Sequence, residues 1–133
     1  MIRTGLRWLL AAFYAFAGYM HLAHPAPFLA IMPPQVPWPA AVVLWTGIAE
    51  LLGALALVQP LSQRLRRAGA VGLALYALCV WPANVNHMAL DLAKPGGGLG
   101  LAYHGPRMLA QPLIIWLALW VGMVTDWPFR RRA

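Results

Sequence analysis

The chain has 133 residues, of which 62% are hydrophobic and only 10% charged, and it carries a net charge of +7. A soluble domain is about 25% charged, so this chain is too poor in charge to clothe a water-facing surface, and lipid is the natural solvent for most of it. The ten basic residues sit in short clusters beside apolar runs and share no single face. That excludes a nucleic-acid-binding surface and matches the way membrane proteins set their orientation.

The first apolar run covers residues 5–21, LRWLLAAFYAFAGYM with its flanks. Ala15-Phe16-Ala17 has the form of a signal-peptide cleavage site. Three more apolar runs follow, however, and an exported soluble remainder would have no use for them, so the first run reads as a retained helix. The second run is 40–58, introduced by Trp38 and by Pro39, which suits a first helical turn. The third is 65–88, and the fourth is 107–125, closed by Asp126, Trp127 and Pro128. Each is long enough to cross a hydrocarbon core about 30 Å thick. Cys79, the single cysteine, lies in the third run. Alone it excludes an intrachain disulfide or a CxxC redox pair, and it reads as a packing residue.

The connections differ in kind. HPAPFLAIMPPQVPWP joins the first two runs, and its prolines rule out regular helix there. It is also apolar, so it is expected to pack over the mouth of the bundle. QPLSQRLRR makes a short second turn, and the third connection is rich in glycine, with Gly96, Gly97, Gly98 and Gly100. No internal repeat or domain boundary is visible. The prediction is an all-α, four-helix transmembrane bundle of one domain, residues 1–133.

Orientation follows from Lys and Arg. With the N-terminus in the cytoplasm, Arg3, Arg7, Arg64, Arg66, Arg67, Arg130, Arg131 and Arg132 lie inside, and only Lys94 and Arg107 outside. This asymmetry places both termini in the cytoplasm and the chain in a bacterial inner membrane as a multi-pass protein. Trp8, Trp120 and Trp127 on the inside and Trp38 and Trp81 on the outside read as interfacial anchors.

In that orientation the polar residues collect at the outer end. His21, His24, His87, His104, Asn84, Asn86, Arg107 and Gln111 all fall there. His21 and His24 are neighbours on one helical face, as are Arg107 and Gln111; Trp81, Asn84 and His87 repeat at three-residue intervals. In lipid such groups turn inward to find partners. Glu50 lies ten residues into the second run, near mid-bilayer, where a carboxyl group costs several kcal/mol unless it is protonated, paired or wet. It shares a small-residue stripe with Thr46, Gly47, Gly53 and Ala54, the signature of a close-packed interior face. The alternative for Glu50 is a protonated side chain bonded to the helix backbone. Pro82 and Pro112 within helices free the carbonyls of Leu78 and Met108, which offer acceptors to a ligand or to Arg107. The reading is a polar pocket opening outward, with His21, Glu50, Asn84, His87, Arg107 and Gln111 as ligand-binding candidates. His21, His24 and His87 are the weak candidates for metal ligands; their spacing matches no zinc motif, and no metal site is expected.

AGYMHLAHPAPFLAIMPPQVPWP, TGIAELLGALALVQPLSQRLRRAG, VWPANVNHMAL and PRMLAQPLIIWLALW, in that order, resemble the DoxX-like family of small membrane proteins. The resemblance implies a four-helix transmembrane bundle and carries His21, Pro33, Pro34, Glu50, Pro82, Asn84, Arg107 and Gln111 over as motif residues. It also implies association with membrane redox complexes, since some relatives are small subunits of a thiosulfate:quinone oxidoreductase; more distant ones are receptor chaperones or cargo receptors. The glycine-rich PGGGLGLAYHG stretch departs from the pattern and leaves His104 without an implied role.

The functional expectation is a redox-associated membrane protein whose outer pocket binds a quinone or similar small molecule. The chain has no dithiol, haem-attachment motif or Rossmann fingerprint, so any catalysis needs a bound cofactor or a membrane or peripheral redox partner; quinone fits better than metal or haem. The alternatives are a non-catalytic assembly module for a partner membrane protein, or a small-solute or lipid carrier, which would need a homo-oligomer.

Overall fold

The computed structural model describes residues 1–129, so Arg130, Arg131 and Arg132 lie outside the described residues. The described chain is all-helical. Helix α1 spans Ile2–Ala23, α2 Ala26–Ala30, α3 Pro39–Val58, α4 Gln63–Leu92 and α5 Gly100–Val121, with a 3-10 turn at Pro95–Gly97. The four apolar runs are the cores of α1, α3, α4 and α5.

Three expectations change. The proline-rich connection contains the short helix α2, because Pro25 caps it in helical geometry and Pro27 falls in its first turn. A first-turn N–H has no intrahelical partner, so proline costs little there. Helix α5 begins at Gly100 rather than at 107 and runs through both Pro106 and Pro112. It ends at Val121 rather than 125, where Gly122 caps it and Met123 turns left-handed with φ 61°. Helix α4 reaches Leu92, and its 30 residues extend about 45 Å at 1.5 Å per residue. Ser62 starts it by accepting the Leu65 N–H at 3.3 Å, an N-cap bond.

Helix α1 packs on α3, α3 on α4, α4 on α5, and α5 closes back on α1. Leu10, Tyr14, Leu57, Leu73, Ala118 and Val121 fill the space between them. Two helices, α3 and α4, are long and apolar enough to cross a membrane. Large apolar side chains also cover outward faces, among them Trp45, Leu52 and Leu55 of α3 and Leu75 and Leu78 of α4.

The N-terminus, the described segment after α5 and the α3–α4 turn meet at one end. Arg3 pairs with Asp126 there, with its guanidinium over the Trp120 ring. Arg67 donates to the Met123 carbonyl. Helix α2 and the glycine-rich connection occupy the other end, the loop end.

Candidate functional site

Glycine decides how closely α1 and α3 approach. A Cβ on Gly18 would stand 2.7 Å from the Gly47 carbonyl oxygen, and one on Gly47 would stand 2.7 Å from His21 Cβ. With both positions bare, backbone meets backbone, as at small-residue interfaces between membrane helices. That contact lays His21 of α1 against Thr46 and Glu50 of α3. The Thr46 hydroxyl donates its hydrogen to the Val43 carbonyl at 3.0 Å, so at 3.1 Å it accepts from His21 Nδ1. The His21 hydrogen is therefore on Nδ1, which also lies 3.6 Å from Glu50 Oε2.

Glu50 is only 3% exposed, and its Oε2 has no hydrogen-bond partner. The expected alternative, a bond from Glu50 to the helix backbone, is not among its contacts. Its neighbours are tyrosines instead. Tyr76 of α4 faces the carboxyl group, and Tyr14 of α1 packs edge-on against Tyr76. The Tyr14 hydroxyl is buried and likewise unpartnered. Two orphaned buried oxygens thus stand at the deep end of the site, where an unmade bond is costly.

Toward the loop end, Arg107 of α5 reaches across to α4. It donates to His87 Nδ1 at 2.7 Å and to Asn84 Oδ1 at 2.8 Å. A guanidinium can only donate, so His87 accepts at Nδ1 and, when neutral, carries its hydrogen on Nε2. The three-residue spacing of Asn84 and His87 on α4 puts both within reach of one guanidinium. Arg107 does not use the Met108 carbonyl freed by Pro112. Asn86 turns the other way and donates to the Ile31 carbonyl at 2.9 Å, tying the segment after α2 down onto α4. The His21 ring meets Phe28 of α2 edge-on, with ring centroids 3.8 Å apart. The proline-rich segment therefore covers the site, as its apolar composition predicted.

A second cluster lies beside Arg107. Asp91, 2% exposed, accepts from Lys94 Nζ at 2.7 Å, from the Leu99 N–H at 2.7 Å and from His104 Nε2 at 2.9 Å. Gly98 makes room, since a Cβ there would stand 2.5 Å from the carboxylate, and its φ is +55°. The glycine-rich connection is thereby clamped between α4 and α5, and His104 is fully buried within α5. His87 stands against His104, with ring centroids 5.0 Å apart and near-perpendicular planes. Among the described residues, His87, Asp91 and His104 are the three whose donor atoms lie within 4.8 Å of one another. The set suits a cation poorly: the Lys94 ammonium already bonds Asp91, and Arg107 occupies His87 Nδ1.

Between α1, α3, α4 and α5 lies a cavity of about 230 Å³. Five of the six expected ligand-binding residues line it: His21, Glu50, Asn84, Arg107 and Gln111. His87 stands behind Arg107 instead. His24 is exposed at the end of α1 and apart from the other histidines. Tyr14, Tyr76, Phe28 and Met32 also line the cavity; no sequence signal separated the two tyrosines from ordinary core residues, whereas Phe28 and Met32 belong to the proline-rich connection expected over the bundle mouth. The Asp91–His104 pair was missed too, although Asp91 stands four residues after His87, one turn along the same face.

The profile of one family matches residues 10–122, and the chain belongs to that family, described as a domain of unknown function, DUF8561. The matched span includes every cavity residue named above. No curated protein and no solved structure matches the chain.

Proposed function

We propose that this chain is a DoxX-like, multi-pass protein of the bacterial inner membrane, with α1, α3, α4 and α5 all crossing and both termini cytoplasmic. In this reading the cavity opens toward the outer face and binds a quinone head group or a similar small ring, in association with a membrane redox partner. Supporting the crossings, the most apolar windows of α3 and α4 are only 39% and 22% buried inside the chain. Helices so apolar and so little covered would be core helices of a soluble protein only if they were mostly buried; lipid accounts for their outward faces.

The observation that carries the binding reading is a cavity with aromatic walls that gathers an arginine, an asparagine, a glutamine and a histidine, and that ends on two unpartnered buried oxygens. Apolar walls with a few convergent polar groups are the common form of a small-molecule site. Titration of the purified full chain in lipid nanodiscs with duroquinone tests it. Saturable binding that is lost in Arg107→Gln is expected. Absence of saturation by every short-tailed quinone, with the wild-type fold intact by circular dichroism, refutes the quinone reading.

A further inference from the structure

We infer that the cavity is built for a hydroxylated aromatic monocarboxylate, its carboxylate toward Arg107 and its hydroxyl toward Glu50 and Tyr14; this rests on reading the cavity as a binding site. The two ends of the cavity ask for different chemistry. Arg107 is permanently charged and donates only. Two of its N–H groups hold His87 and Asn84, and among the described residues it has no carboxylate partner. Arg107 is half-buried, and a planar oxyanion is the best match for its fork of donors. A quinone carbonyl would accept its hydrogen bond but supply no counter-charge, whereas an aromatic carboxylate supplies both.

The deep end has the opposite need. Glu50 Oε2 and the Tyr14 hydroxyl are buried without partners, and together they offer an acceptor and a donor. A phenolic hydroxyl can give its hydrogen to one and accept from the other. On α4 the lining runs from Tyr76 to Asn84, eight residues or about 12 Å along the helix. A ring with substituents at opposite positions, with a hydrogen bond at each end, is of about that length. Phe28 and Tyr76 supply aromatic surface for its faces and edges. A volume of about 230 Å³ lies below the 300–1,000 Å³ usual for drug-sized ligands and suits a small aromatic acid.

The probes are 4-hydroxybenzoate, its methyl ester, benzoate and duroquinone, each titrated calorimetrically into the full chain in nanodiscs. The acid should bind, with the ester and benzoate each weaker by roughly tenfold or more, because each leaves one end of the cavity unmatched. Tyr14→Phe removes an oxygen that holds nothing in the fold, so the protein should stay folded while its preference for 4-hydroxybenzoate over benzoate narrows. Equal affinity for the acid and its ester overturns the inference. Duroquinone binding without 4-hydroxybenzoate binding also overturns it, while leaving the cavity reading intact. If none of the four binds, both readings fall.

Discussion

Gly18→Ala should separate α1 from α3, and its cost can be worked from the geometry. The new Cβ would stand 2.7 Å from the Gly47 carbonyl oxygen, 2.9 Å from Leu51 Cγ and 3.1 Å from Glu50 Cβ. Ordinary contact begins near 3.4 Å, so against the carbonyl the helices must part by about 0.7 Å (3.4 less 2.7). A gap of that size forfeits about a quarter to a half of each dispersion well along the seam, and overpacking of this kind costs about 1–3 kcal/mol. Alanine returns up to about 1 kcal/mol through helix propensity. Gly72→Ala is the matched control, since a Cβ there meets nothing within 4 Å. It should gain the propensity alone. Thermal unfolding of both variants in one detergent should therefore move the midpoints in opposite senses, or separate them by several degrees. Equal shifts would refute the claim that bare backbone contact at Gly18 sets the α1–α3 distance. Because the same contact places His21 beside Glu50, the variant should also weaken any ligand that the wild-type cavity binds.

The other predictions concern the cavity's supports and the topology. Gly98→Ala should lower the thermal midpoint more than Gly105→Ala, because it meets a positive φ and the Asp91 carboxylate together, whereas a Cβ on Gly105 meets nothing within 4 Å. Thr46→Val removes the acceptor for His21 Nδ1 and should cost about 1–3 kcal/mol, the penalty for an unmet buried donor, measured by denaturant unfolding. Asp91→Asn should destabilise the fold more than Lys94→Gln, since Asp91 holds His104 and the Leu99 N–H as well as Lys94; a smaller effect would show that the clamp is not needed. In a Cys79→Ser background, cysteines introduced at Ser62 and Gly97 should react with impermeant reagents from opposite sides of the membrane. Labelling of both from one side refutes the four-crossing topology.

Composition and hydropathy were enough to place four helical cores, two of them apolar and long enough to cross a membrane, because burying or exposing so many apolar groups leaves few alternatives. Charge asymmetry and helical spacing then grouped His21, Glu50, Asn84, His87, Arg107 and Gln111, since polar groups in apolar helices must face inward, and all but His87 line the cavity. Helix ends were less legible. α2 forms despite its prolines and α5 runs past two, because a proline's effect depends on which carbonyl it orphans and what packs there. Only the tertiary structure decided which polar groups meet. Arg107 holds His87 and Asn84 through distances that span two helices, and His24, though one turn from His21, points away. The depth of the site rests on Tyr14 and Tyr76, which within apolar runs look the same as core. Asp91 and His104 are 13 residues apart, and their contact depends on a glycine turn whose φ angles no composition reveals. Local pattern dictates which groups must seek partners; the distances that pair them come from how closely the helices pack.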